Sequence, residues 1–236
     1  MGAFLGDCSG KSRVVVFLGL GDGGMGYSLA WLAVRGKPPE AVREELGFTL
    51  TGEREEFPES PLSGAQIPGG WYLIVTQRSG YVALDSTLEK LSSGCELVTC
   101  FLEEHVMCSF AAGWKDGREN WSLAHESAKG RGNLVVKGEP PPEFYSIRDQ
   151  LVLKQKESDL EEAASKSRYG PADHIFDIPV QTATSLTGYR YDQSIPGLVD
   201  GFEVLEGEIP EPHGAVVLIT TTPKATWWGK LWGRKP

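Results

Sequence analysis

The hydrophobic and polar positions along the first part of the chain predict alternating strands and short helices. Residues 29–34 form a continuous apolar run, which is typical of a buried strand. Residues 37–39 open a short helix with two prolines, and Gly47 follows as its C-terminal cap. Residues 48–51 predict a second strand. The proline-containing stretch 53–70 predicts a long loop, and loops of that length are often functional.

The middle of the chain has the clearest strand pattern. Residues 97–112 predict one long strand, and residues 121–125 predict a strand that returns beside it. Asp116-Gly117 suits the positive φ angles of a two-residue type I′ turn. With that turn, positions whose numbers sum to 233 face each other. One apolar face is then formed by Val106, Cys108, Phe110, Ala112, Trp121, Leu123 and His125.

The remaining pattern completes an α+β arrangement. Further strands are predicted at residues 71–76, 81–84, 133–136, 202–205 and 215–220, and further helices after Ser86, after Pro142 and within residues 173–186. We therefore expect a central antiparallel sheet with helices packed mainly on one face.

The two ends of the chain differ from its middle. Residues 1–24 end in a glycine-rich stretch, which predicts an N-terminal extension outside the core. Residues 25–222 are expected to form a single α+β domain. Residues 223–236 form a tail with a charge of +4 and no acidic residue.

This basic tail concentrates aromatic residues, and its candidate partner-binding side chains are Trp227, Trp228, Lys230 and Trp232. Tryptophan with lysine is typical of a partner-docking peptide or of an interfacial membrane contact. The same composition would let the tail pack on its own acidic body. Docking on the chain itself and contact with an external partner both remain open, and the tail is too short for stable membrane anchoring by itself.

Overall composition excludes several classes of protein. The 236 residues are 40% hydrophobic and 23% charged, as in ordinary folded proteins. A net charge of −9 argues against nucleic-acid binding. No apolar run approaches the roughly 20 residues of a membrane-spanning helix. The four cysteines include no C-x-x-C pair, so we expect free thiols, no structural zinc and a cytoplasmic location.

Candidate chemistry is sparse. Gly19, Gly21 and Gly24 match the letters of a dinucleotide-binding fingerprint, but a strand and not a helix follows them, so no cofactor is predicted. Catalytic candidates are the carboxylates and imidazoles of Glu103, Glu104, His105, His125 and His174. Such groups serve acid–base chemistry or bind a metal. They also occur without a catalytic role, at solvated edges of sheets, as hydrogen-bonded histidines in a core and as caps of helices. No metal site is predicted.

Several short motifs resemble a family of uncharacterised bacterial proteins. They are Leu29–Gly36, Phe57–Leu62, Gly69–Tyr72, Glu103–Met107, Gly113-Trp114, Trp121-Ser122, Asp173–Asp177 and Leu186–Tyr189. The resemblance implies a bacterial cytoplasmic origin and carries over no activity. In general character the chain also resembles acidic immunity proteins of polymorphic toxin systems.

Three functional hypotheses follow. The leading one is a non-enzymatic interaction protein, of the immunity kind or another, that binds a basic protein partner through acidic surface, with residues 53–70 as a candidate contact. The second is a hydrolase or metal-assisted enzyme that uses the candidate carboxylates and histidines, which would then converge in one pocket. The third is a peripheral membrane protein that attaches weakly through residues 223–236.

Overall fold

The computed structural model of the chain describes residues 26–77, 85–164 and 172–208. Its strands are β1 (Ser28–Arg35), β2 (Thr49–Glu55), β3 (Leu62–Ile67), β4 (Trp71–Gln77), β5 (Glu96–Glu103), β6 (Cys108–Lys115), β7 (Arg118–Glu126), β8 (Leu134–Gly138) and β9 (Phe202–Glu206). Its helices are α1 (Pro39–Leu46), α2 (Asp85–Leu91), α3 (Glu143–Ala164) and α4 (Asp177–Thr187), with a 3₁₀ turn at Ser127–Lys129.

These strands form one nine-stranded sheet in the order β2-β9-β3-β4-β1-β5-β6-β7-β8. The strand pairs described are all antiparallel. The predicted α+β class and central antiparallel sheet are confirmed. Strand β1 lies in the middle between β4 and β5, which explains why its sequence is a continuous apolar run and not an alternating one.

Helix residues cover both faces of the sheet. One core cluster joins Trp31 and Leu73 of the sheet to Phe144 of α3 and Ile178 of α4. The cluster on the other face joins alternate β1 residues to α1 and α2, through Leu32, Val42, Leu46, Leu88 and Leu91. The long helices α3 and α4 therefore contribute to one face, and the short helices α1 and α2 to the other. Among the described helices, none has both the length and the apolar composition needed to cross a bilayer.

The prediction of one long strand over residues 97–112 is wrong. Strand β5 ends at Glu103, the chain turns through residues 104–107, and β6 runs back beside β5 from Cys108. Met107 takes a positive φ of 49° to close the hairpin. Glu103 is therefore the buried last residue of β5, whereas Glu104 and His105 lie in the hairpin turn, where His105 is exposed to solvent.

The predicted β6–β7 register is correct only next to its turn. Asp116 and Gly117 have the expected positive φ values of 51° and 74°. Lys115 faces Arg118 and Trp114 faces Glu119, as predicted, but a bulge then shifts the pairing by one, so that Gly113 faces Trp121. Glycine is required there, because a Cβ at Gly113 would lie 2.2 Å from the Trp121 indole nitrogen. The shift corrects the predicted apolar face: His125 is opposite Ser109 and not Cys108.

The predicted long loop at residues 53–70 is also wrong in part, because it contains β3. Polar Ser63 and Gln66 hide this strand in the sequence, and Gly64 packs under the Tyr72 hydroxyl. Cys95, Cys100 and Cys108 are free and buried, as expected. Several predictions fall outside the described residues. They are the strands at 81–84 and 215–220, the extension 1–24, Cys8 and the tail with Trp227, Trp228, Lys230 and Trp232.

Candidate functional site

The five catalytic candidates fall into separate contacts. Glu103 lies at the end of β5, where its Oε1 accepts a hydrogen bond from the His105 backbone N–H (3.1 Å) and lies 2.5 Å from His105 Nδ1. Burial favours the neutral acid, but hydrogen bonds from Ser28 and His105 outweigh it and lower the pKa of Glu103. The pair closes the β5–β6 hairpin.

Glu104 makes a different set of contacts. Its Oε2 accepts a hydrogen bond from the Tyr27 backbone N–H (2.9 Å), and its Oε1 accepts one from the Tyr191 hydroxyl (2.5 Å). The Tyr27 and Tyr191 rings meet edge to face with centroids 5.0 Å apart. Burial and the Glu104 carboxylate raise the pKa of Tyr191. Glu104 therefore links the backbone of Tyr27 to the side chain of Tyr191.

His125 is a fully buried core histidine. Its Nδ1 lies 2.7 Å from the Asn133 carbonyl oxygen, and its Nε2 lies 3.0 Å from Asp173 Oδ2. A carbonyl oxygen only accepts, so Nδ1 carries a proton. Asp173 is buried too, but its hydrogen bond with His125 outweighs the burial and lowers the pKa of this carboxyl group. Both polar atoms of the imidazole are thus occupied within the fold, and the pair ties β7 to the segment before α4.

His174 lies next to this pair in sequence but has other partners. Its Nε2 is 3.0 Å from Ser158 Oγ, and its backbone N–H donates to Gln155 Oε1 at 2.7 Å. These contacts join α3 to the chain entering α4. The structure therefore divides the five candidates among four separate sets of contacts. Within the described ranges no group of three or more His, Cys, Asp or Glu side chains is arranged to hold a metal ion.

The Asp173–His125 pair makes folding stability depend on pH. The pKa of Asp173 in the folded state is below its ordinary value of 3.8. The carboxylate therefore contributes stability that is complete above pH 3.8 and is lost as the pH falls through the folded-state pKa. We expect the urea midpoint of the wild-type protein to fall between about pH 5 and pH 3 more steeply than that of Asp173→Asn. Parallel curves for the two proteins would contradict this assignment.

A large cleft lies elsewhere, where the end of β2 meets the start of β9. It encloses about 1040 Å³. It is lined by Tyr27, Leu29, Arg54, Glu55, Glu56, Phe57, Pro58, Glu59, Gln77, Tyr189, Tyr191, Asp192, Gln193, Ser194, Ile195, Leu198, Val199, Asp200, Gly201 and Phe202. None of the five catalytic candidates is among these residues, so the cleft is a separate site.

One wall of the cleft is the chain from Arg54 to Glu59, and it is fixed by hydrogen bonds. The Glu55 carboxylate accepts from the Ser60 backbone N–H (3.1 Å) and hydroxyl (2.8 Å) and from the Ser63 hydroxyl. Gln77 Nε2 donates to the Pro58 carbonyl oxygen. This wall is the part of the sequence-predicted contact region, 53–70, that the structure places at the cleft.

The opposite wall is the segment from Tyr189 to Asp200 that follows α4. Arg190 anchors it, because its Nε donates to Asp192 Oδ1 (2.7 Å) and its Nη2 donates to Asp177 Oδ1 (3.1 Å). Tyr191 is held by Glu104 at the hairpin turn. This wall could not be predicted from the sequence, because the segment has no regular periodicity.

The two walls approach closely at Gly201, which has a φ of +68°. A Cβ there would lie 2.5 Å from the Glu55 carbonyl oxygen. We expect Gly201→Ala to destabilise the protein by about 1–2 kcal/mol from the backbone conformation, with a further cost from the clash. Gly70→Ala is the matched control, since Gly70 has a φ of +78° and open space around it. Equal urea-denaturation losses for the two variants would contradict the close approach.

The cleft combines negative charge with exposed aromatic and apolar surface. Among the described residues, its lining holds five carboxylates and one basic residue, Arg54, which itself contacts Glu203 at 3.5 Å. Glu56, Glu59 and Asp200 are exposed, and within the described part of the chain they form no ion pair. Tyr27, Phe57 and Val199 are also exposed, by 49%, 48% and 90%. Such a surface is suited to binding cationic side chains together with aromatic or aliphatic ones.

No protein-family model, curated protein or solved structure matches the chain.

Proposed function

We propose that this protein is an interaction protein that binds a basic polypeptide segment in the cleft between residues 54–59 and 189–201. The observation that carries the proposal is that exposed carboxylates and exposed aromatic and apolar side chains line one cavity. An immunity-type protein would be one form of this function, since it also acts by binding a single protein partner.

The charges of the cleft define the chemistry of the partner. Glu56, Glu59 and Asp200 attract lysine and arginine side chains, and this attraction raises the association rate and selects against acidic partners. The field weakens with salt, because the Debye length falls from about 10 Å at 0.1 M to about 3 Å at 1 M.

The aromatic residues of the cleft add a second requirement. The ring of Phe57 is half exposed at one wall, and the ring of Tyr191 is fixed by its hydrogen bond to Glu104 at the other. A fixed aromatic ring offers contact area and a cation–π face with little loss of conformational entropy. A segment that alternates basic and aromatic residues therefore fits the cleft better than a purely basic one.

Neutralising the cleft is expected to weaken binding of such a segment about tenfold. The variant is Glu56→Gln/Glu59→Gln/Asp200→Asn, and the probe is a fluorescent synthetic peptide of alternating lysine, tryptophan and glycine. Each exposed charge contributes about 0.2–1 kcal/mol, and every 1.4 kcal/mol changes Kd about tenfold. Fluorescence anisotropy with the full chain at low and high salt measures the effect.

The matched control removes the same charge away from the cleft. Glu44, Glu157 and Glu161 are exposed acids on α1 and α3, so their triple replacement by glutamine keeps the net charge equal to that of the cleft variant. The control is expected to bind the probe within about twofold of wild type. Equal weakening by the two triple variants would show that net charge, and not the cleft, attracts the peptide, and it would overturn the proposal.

A further inference from the structure

We propose that residues 223–236 of this chain dock in the cleft of the same molecule and compete there with the external partner. This inference rests on the proposed function, because it names an intramolecular ligand of that site. It also gives the site a form of regulation, since the partner has to displace the tail.

The tail has the composition that the cleft selects. It carries four basic residues, three tryptophans and no acid. Within the part of the chain that the structure describes, the cleft lining carries five acids, one base and several exposed aromatic or apolar side chains. The tail and the cleft therefore match in charge and in apolar character. The basic tail is also opposite in charge to the chain as a whole, whose net charge is −9.

The floor of the cleft offers an additional polar contact. Tyr189 lines the cleft and is only 2% exposed, and its hydroxyl has no hydrogen-bond partner within the described residues. An unpaired buried hydroxyl is costly, and an occupant with a polar group would satisfy it. Burial and nearby negative charge raise the pKa of Tyr189, so the group is the neutral hydroxyl.

The tail can reach this site. Phe202, the first residue of β9, lines the cleft, and β9 leads away from it to Glu206, over about 13 Å. Residues 207–222 then separate β9 from the tail, and 16 residues span at most about 53 Å when extended. The connection is therefore long enough to return the tail to the cleft.

The connection also makes docking within one chain favourable. Linking two binding elements by a short connection raises their effective concentration to the millimolar range, so the tail occupies the cleft even if its intrinsic affinity is weak. An external basic segment then binds with a reduced apparent affinity, because it has to compete with the tail.

Zero-length carbodiimide crosslinking of the full chain tests the docking directly. We expect amide crosslinks from Lys224, Lys230 or Lys235 to Glu56, Glu59 or Asp200 in the monomer band. These crosslinks should disappear in Glu56→Gln/Glu59→Gln/Asp200→Asn and in high salt, and should persist in the Glu44, Glu157 and Glu161 control. Crosslinks of the tail lysines to acids outside the cleft, or cleft crosslinks found only in a dimer band, would overturn docking within one chain.

Competition with the lysine–tryptophan probe separates this inference from the proposed function. The full-length variant Lys224→Gln/Lys230→Gln/Arg234→Gln/Lys235→Gln removes the tail charge, and we expect it to bind the probe at least fivefold more tightly than wild type. If the two proteins bind the probe equally and at the cleft, the tail inference is overturned and the proposed function stands. If neither protein binds the probe, the proposed function fails, and the tail inference fails with it.

Discussion

Replacing Asp173 with alanine is expected to lower the free energy of unfolding by about 3–5 kcal/mol. Asp173 and His125 are both buried, and their side chains meet at 3.0 Å. Removing the carboxylate leaves His125 Nε2 without a partner in the core and also removes the acceptor of the Phe176 backbone N–H. The loss therefore affects β7 and the start of α4 together.

Two further variants show whether the pair itself is responsible. Asp173→Asn retains a hydrogen-bonding side chain of the same size, so we expect a smaller loss of about 1–2 kcal/mol. Asp149→Ala removes an exposed acid paired with Arg148 and should cost less than about 1 kcal/mol. Urea denaturation of the three variants measures the order. A loss below about 1 kcal/mol for Asp173→Ala would mean that the pair is not structural, and it would reopen the catalytic interpretation of His125.

Replacing Trp31 with alanine is expected to cost about 3–5 kcal/mol. Trp31 is 1% exposed in the centre of β1, and its ring meets Tyr189 edge to face at 5.4 Å. Its removal leaves a cavity under Tyr189, which lines the floor of the cleft. We therefore expect this variant to weaken binding of the basic probe peptide as well as folding.

The aromatic ring, and not the indole N–H, is the stabilising part of Trp31. Its Nε1 is buried with no hydrogen-bond partner in the described ranges, so Trp31→Phe removes a costly group while it keeps most of the packing. We expect Trp31→Phe to cost less than about 1.5 kcal/mol. Tyr145→Ala, at a half-exposed aromatic, is the surface control. If thermal or urea unfolding showed equal losses of stability for Trp31→Ala and Tyr145→Ala, the buried packing of Trp31 would be contradicted.

The fold could be predicted where local signals were strong. Three such signals predict elements that the structure contains. They are the apolar run of β1, the prolines and Gly47 that bound α1, and the Asp116-Gly117 turn. Two kinds of information were missing from the periodicity. The turn at residues 104–107 contains no glycine or proline, so its sequence predicts a strand, and the bulge between Gly113 and Trp114 changes the register without any mark in the sequence.

The candidate site was much less predictable. Glu104 and Tyr191 are separated by 87 positions in sequence, and only the fold brings them to 2.5 Å. Residues 53–70 were selected for length and proline content, and the structure places only their first part at the cleft. The sequence offers histidines and carboxylates as candidates for an alternative catalytic role, and in the fold their polar atoms contact one another, hydroxyl groups or the backbone.

Mapping the binding surface by NMR is the most direct test of the central claim that the cleft between residues 54–59 and 189–201 binds a basic segment. The ¹⁵N-labelled full chain is titrated at low ionic strength with the lysine–tryptophan peptide. The account predicts saturable shifts concentrated at the amides of Phe57, Glu59, Tyr191, Val199 and Asp200, which are lost at high salt. Shifts concentrated on α3 or at the β8 edge, or no saturable shifts at all, would contradict it.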